Sequence, residues 1–343
     1  MDAAGDSITK AFDADQGNCT YDDQEWLNWA TSDTHGIDFC SDGGDGVFSH
    51  AEMLECFNGM DISVPYPNAA ESGAQMLKDF VAQAIMIQDY LANAPAPRYA
   101  TVFLGHNDIC GGTIDKVQAV CDWGDDQDPN NYCRTTPEAF EREFRKGLDI
   151  LIVVPDLTIG VASLVRVSQL CNHAENDACG LFFDVTCQQA WTAAVTLARF
   201  ESGICGSLTF DCSDERIVDA YTTAQAYHEI LARVTAEYAA IPVGDSSDMV
   251  TIGGQTVGGA PKAAGVTIVF SDTPWVYTFS SEQLSCCDCF HPSILGQDTL
   301  ARLLFQGLNC SAFDPCIQDI GDPLTDALGG TPDTSGTYYP GFF

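Results

Sequence analysis

Short apolar runs rich in Val, Ile and Tyr alternate along this chain with longer segments of helical period. That alternation restricts the fold more than any other feature. A strand, a covering helix and another strand build a parallel sheet clothed by helices. The candidate strands are a stub at 2–5, then 61–66 (DISVPY), 99–104 (YATVFL), 157–164 (LTIGVASL) and 265–270 (GVTIVF). Helical patterns occupy 71–93, 137–152, 214–239 and 293–307. In the last of them Ile294, Leu295, Thr299, Leu300, Leu303 and Leu304 recur at helical spacing, which reads as core packing. No repeat, low-complexity tract or linker divides the chain, so one domain is expected over residues 1–343, with a largely irregular tail at 310–343.

Four regions break the alternation, at about 11–60, 108–135, 167–212 and 271–290. Following strands as they do, they fall at the carboxyl ends of a parallel sheet, where ligands bind. The first three hold most of the sixteen cysteines. An even number in irregular sequence points to disulfides and an oxidising compartment. Such bridges would hold pocket walls that have little core of their own. The opening MDAAGDSITK lacks the apolar stretch of an export signal, so the expectation is an extracellular or periplasmic protein whose signal has been removed. Asn18 and Asn309 head glycosylation sequons, which matter in a eukaryotic source.

Charge excludes several partners. With 49 acidic residues against 14 basic ones, the net charge is -35. A chain this acidic cannot follow nucleic-acid phosphates, which demand Lys and Arg, and it is repelled by anionic membranes. Its longest apolar stretch, LDILIVVPDLTIGVASLV at 148–165, is interrupted by Pro, Asp and Thr, so no stable membrane insertion is expected.

The candidate chemistry lies at the strand ends. The first strand runs into Gly5-Asp6-Ser7-Ile8-Thr9, where a serine on the tight turn can expose Oγ as a nucleophile. A second copy, Gly244-Asp245-Ser246, follows a helix and Ile241-Pro242 and reads as a turn. No G-x-S-x-G is present, which excludes the nucleophile elbow of the α/β-hydrolases. Gly73, at an expected helix start, can present its N–H to a ligand. Asn107, in Gly105-His106-Asn107-Asp108, can direct its amide toward a developing oxyanion. His106, next to that donor, is a weaker candidate for the base.

Residues 285–293 read SCCDCFHPS. Asp288 and His291 stand three apart, so one helical turn would bring them to a common face. Asp288 can then hold Nδ1–H of His291 and leave Nε2 to deprotonate Ser7. The rival is a metal site of Cys286, Cys287, Cys289 and His291, but adjacent cysteines fit poorly on one tetrahedral ion. Pairing of these cysteines with other loops is the preferred reading, and no cofactor or metal is expected. The other histidines, His35, His50, His173 and His228, read as loop or helix residues without catalytic part. Ser41 to Glu52 mimics half of an EF-hand loop, but Ser41 and Gly43 stand where carboxylates are needed. The acidic loop at 122–133 is an equally weak calcium candidate.

GDSIT, the Gly73 segment, GHND and DCFH occur in the order of the SGNH (GDSL) hydrolase blocks, and from residue 5 to about 305 the chain resembles that family. FLGHNDIC and DCFHPS look most like its phospholipase-B-like branch. The resemblance implies a flavodoxin-like α/β/α sandwich on five parallel strands. It implies Ser7 as nucleophile, His291 as base oriented by Asp288, and an oxyanion hole of the Ser7 and Gly73 N–H groups with the Asn107 amide. Ile8 and Ala11 depart from the Leu and Gly common at those places. The expected function is a secreted serine esterase for short-chain acyl esters or lipid esters. Alternatives are a carbohydrate deacetylase on the same site and a non-catalytic binding protein on the same scaffold.

Overall fold

The computed structural model describes residues 1–15, 17, 19–32, 45–58, 66–110, 120–121, 134–179, 185–196 and 205–309. Four strands, β1 (Asp2–Gly5), β2 (Arg98–Phe103), β3 (Leu157–Ala162) and β4 (Thr267–Ser271), form one parallel sheet in that order. The register sets Gly5 beside Phe103, Tyr99 beside Thr158, and Thr158 beside Thr267. The inner strands are closed off from water, with Ala100, Val102, Ile159 and Val161 all buried. Parallel strands covered on both faces need that continuous apolar character. The candidate strand at 61–66 lies, except for Tyr66, outside the described residues.

Among the described residues four long helices cover the sheet: α1 (Phe80–Leu91), α2 (Pro137–Leu151), α3 (Asp214–Ala240) and α4 (Ile294–Asn309). α1 packs on β1 and on α2, α2 packs on α3, and α3 and α4 both reach β3 and β4. Two glycines permit close approach. A side chain at Gly147 would collide with the Phe80 ring, and one at Gly160 with Leu308. α2 starts where its sequence says it should. Thr136 accepts a hydrogen bond from the Ala139 N–H (3.1 Å), and Pro137 stands at a position that needs no N–H.

The helix expected over 71–93 begins nine residues late. Residues 66–79 are irregular or in turns. Their backbone donors are taken by carboxylates: the Met76 and Leu77 N–H groups bond Asp108, and the Gln75 N–H bonds Asp79. Apolar period alone does not reveal that competition. His50, expected in a loop, is the buried first residue of the helix His50–Asn58, with Nε2 2.9 Å from the Ala301 carbonyl. Glu52, the end of the false EF-hand, closes a capping pair at the start of that helix. It accepts from Ser49 N–H, while Ser49 Oγ accepts from Glu52 N–H. Residues 33–44, 122–133 and the tail from 310 lie outside the described residues.

Candidate active site

The turn after β1 is tight because nothing larger than Gly5 fits there: a Cβ would strike Thr9 and the Phe103 carbonyl. Asp6 then organises it. Its Oδ1 accepts the Ile8 N–H at 2.9 Å, and its Oδ2 lies 2.9 Å from His106 Nδ1. Because the Val165 N–H donates to His106 Nε2 (3.1 Å), Nδ1 is the protonated nitrogen and donates to Asp6. Both nitrogens of His106 are therefore engaged in structure, and it does not serve as base. Ser7, 8% exposed, follows directly.

The structure brings Ser7, His291 and Asp288 together across the whole chain. His291 Nε2 lies 2.7 Å from Ser7 Oγ, and His291 Nδ1 lies 2.5 Å from Asp288 Oδ2. The expected helical turn is replaced by a turn built on the Asp288 side chain. Asp288 Oδ1 accepts from the N–H groups of Phe290 and His291, at 2.9 and 3.1 Å. Cys289, at φ +58°, makes the reversal that brings the imidazole round. The loop is closed on itself by Ser285 N–H to His291 O (2.7 Å) and by a bridge between Leu284 and Pro292.

Three disulfides grip this loop from outside. Cys286 pairs with Cys179, Cys287 with Cys19 and Cys289 with Cys187. Cys110–Cys205 and Cys171–Cys212 tie the neighbouring loops. Each cysteine of SCCDCFHPS is thus oxidised, which leaves no thiolate for the metal site weighed from sequence. The sulfurs of Cys19, Cys179 and Cys287 lie close together because two bridges run side by side. Ser285 Oγ also donates to the Asp13 carbonyl (2.6 Å), Tyr21 OH to the Cys287 carbonyl (3.3 Å) and Trp191 Nε1 to the Asp288 carbonyl (2.9 Å).

Gly73 and Asn107 meet on the other side. The Glu71 N–H bonds the Gly5 carbonyl (3.2 Å), which ties this loop to the end of β1. Asn107 Nδ2 donates to the Ala74 carbonyl (3.0 Å), using one of its two amide hydrogens. Gly73 sits in a turn rather than at a helix start. Its φ is +84°, in the left-handed region that glycine enters without strain, and the space where a Cβ would stand is open. Ser246 is exposed in its own turn, bridged to Pro261.

Burial pushes the His291 pKa down, but the charge and hydrogen bond of Asp288, with Asp6 and Asp13 behind them, outweigh it and hold it above the ordinary value. Asp13 is itself pushed up to about 6, first by burial and then by the nearby Asp288 charge. The rings of Phe12 and Phe290 lie 4.9 and 5.0 Å from the imidazole and shield it from water. Asp13, Phe12 and Trp191 escape a reading of sequence. Phe12 and Asp13 sit in an irregular loop and Trp191 in the helix Cys187–Thr196, and the position of both segments depends on bridges no spacing reveals. The one hint for Trp191 is its place four residues after Cys187.

Such an arrangement can lower the barrier to attack by a serine hydroxyl: a base in contact, its tautomer fixed, and N–H donors close by. The model of the family described as GDSL-like Lipase/Acylhydrolase matches residues 3–304. No curated protein matches the chain.

Proposed function

The chain belongs to the GDSL-like lipase/acylhydrolase family and is an ester-hydrolysing enzyme; on that premise we propose that it works through an acyl-enzyme on Ser7. Ser7 Oγ attacks the ester carbonyl carbon while His291 Nε2 takes its proton. Asp288 keeps Nδ1 protonated and stabilises the imidazolium. The carbonyl oxygen, now an anion, is met by the N–H groups of Ser7 and Gly73 and by the free hydrogen of the Asn107 amide. The tetrahedral intermediate collapses, the C–O bond to the alcohol breaks, and His291 returns the proton to the departing oxygen. Water then attacks the acyl-Ser7 ester. His291 removes its proton, and the second collapse frees the carboxylic acid and restores Ser7.

What carries this reading is the unbroken chain from Ser7 Oγ through both nitrogens of His291 to Asp288, at 2.7 and 2.5 Å. Labelling with a fluorophosphonate and mapping of the adduct tests it. The adduct is expected on Ser7. Its absence at every pH would point to a binding protein on a hydrolase scaffold.

The substrate is a carboxylic ester with a short acyl chain presented in solution. A surface carrying a net charge of -35 is repelled by anionic lipid, and no described helix is long and apolar enough to cross a membrane. Five disulfides among the described residues support an extracellular or periplasmic setting.

A further inference from the structure

An apolar cleft lies against the catalytic turn. Its walls include Ile8, which follows Ser7, and Phe290 and Pro292, which flank His291. His106, the neighbour of Asn107, completes that side. In the reaction proposed above the acyl carbon is bonded to Ser7 and its oxygen points to Asn107. The acyl chain therefore leaves the carbonyl between the neighbours of these two residues, which is where the cleft begins. Val167, Leu170 and Phe279 form another part of its wall. That wall is preformed. Cys171–Cys212 anchors the residue after Leu170, and His173 Nε2 lies 3.0 Å from the Phe279 carbonyl.

Two wall residues are polar, and His106 has partners for both nitrogens whereas Gln169 does not. Gln169 is 8% exposed, and its Oε1 accepts the Phe279 N–H at 3.2 Å. That bond fixes the amide orientation, since a flip would set the NH₂ group against the Phe279 N–H. Nε2 is left buried with no acceptor among the described residues. Buried donors are rarely left unpaired unless water or a ligand takes the bond.

We propose that this cleft holds the acyl chain of the substrate and that Gln169 Nε2 donates a hydrogen bond to an oxygen borne on that chain. The favoured substrates are esters of short oxo or hydroxy acids rather than of plain alkanoic acids of equal length. The inference rests on the esterase reading and names its substrate class. A site with an unsatisfied donor among largely apolar walls discriminates strongly, because the wrong substrate leaves that donor unpaired.

The test compares p-nitrophenyl pentanoate with 4-oxopentanoate, and hexanoate with 5-oxohexanoate. Each kcat/KM is divided by the alkaline hydrolysis rate of the same ester. The intact protein should favour the oxo member of at least one pair by about 5–10-fold. Gln169→Met, which removes the donor, and Gln169→Glu, which keeps the acceptor for Phe279 but has no NH₂, should both bring that ratio to about one or lower. A purely structural role would depress both members of a pair alike, and an unchanged ratio in the two variants overturns the proposal. So does a native enzyme that prefers the plain alkanoyl ester in both pairs. Failure to hydrolyse any of the four esters, together with no fluorophosphonate adduct, would instead sink the esterase reading and this inference with it.

Discussion

Asp288→Asn changes one atom and should disable the enzyme through its neighbour. In the native loop Asp288 Oδ1 accepts two N–H groups, from Phe290 and His291, while Oδ2 accepts Nδ1–H of His291. An asparagine has one oxygen, and the two backbone donors claim it. Its NH₂ then faces Nδ1 of His291. Two donors cannot share a bond, so the imidazole moves its proton to Nε2 and points a donor at Ser7 Oγ, where an acceptor is required. Loss of the correct tautomer with the geometry intact costs about 10⁴-fold in kcat. That is about 5.4 kcal/mol of transition-state stabilisation, at 1.36 kcal/mol per tenfold. The same change removes the largest influences that raise the His291 pKa. Native activity should therefore fall on the acid side with an apparent pKa above that of free imidazole, and the variant's residual activity should persist to lower pH. The assay is kcat and kcat/KM for p-nitrophenyl acetate across pH, with circular dichroism to show an unchanged fold. A variant within about tenfold of native kcat, or one with an unmoved acid limb, would refute the role given to Asp288.

Ser7→Ala should lower kcat for p-nitrophenyl acetate by about 10⁴-fold or more, whereas Ser246→Ala should leave it unchanged; the reverse would assign catalysis to the wrong GDS copy. Asn107→Ala should cost about 10²–10³ in kcat with a smaller change in KM, and a loss confined to KM would remove Asn107 from the oxyanion site. Replacing both Cys187 and Cys289 by Ala should lower stability in urea unfolding by about 2–5 kcal/mol and should reduce kcat as the Asp288–His291 loop loosens; a fully active variant would show that the bridge does not hold the catalytic geometry. Burial raises the pKa of Asp13 to about 6 and that of Asp108 to about 7, and His291 is also raised. With Asp2, also raised to about 6, these groups outnumber His50, which burial pushes down to about 3 and which acts in the opposite sense; the native state then holds more protons than the unfolded chain, so stability falls as pH rises from about 4 to 7. Thermal unfolding should show a higher Tm at pH 4.5 than at 7.5, and the opposite order would mean these carboxyls are not buried as described.

The sequence by itself determined the fold class and the candidate residues. Alternating strand and helix periods are local properties; GDSIT and GHND each follow a strand directly, and DCFH stands just before a helix, so each motif lies within a few residues of the pattern that announces it. GDSIT, GHND and DCFH could be read as nucleophile, oxyanion donor and base because few residue types can do that chemistry. What the tertiary structure decided was everything that depends on distant parts of the chain. It cancelled the first turns of the helix expected from residue 71, because Asp108 claims the amides of Met76 and Leu77. His106 became a structural partner of Asp6 and Val165. The cysteine cluster was resolved into three bridges to segments more than a hundred residues away, at separations of 268, 107 and 102. Ser7 was set against a histidine 284 positions distant. The orphaned Gln169 donor also appears only in the fold. A hydrogen bond is decided within about 3 Å, and no pattern of spacing along a chain fixes positions that finely once the path between them runs through irregular, bridged loops.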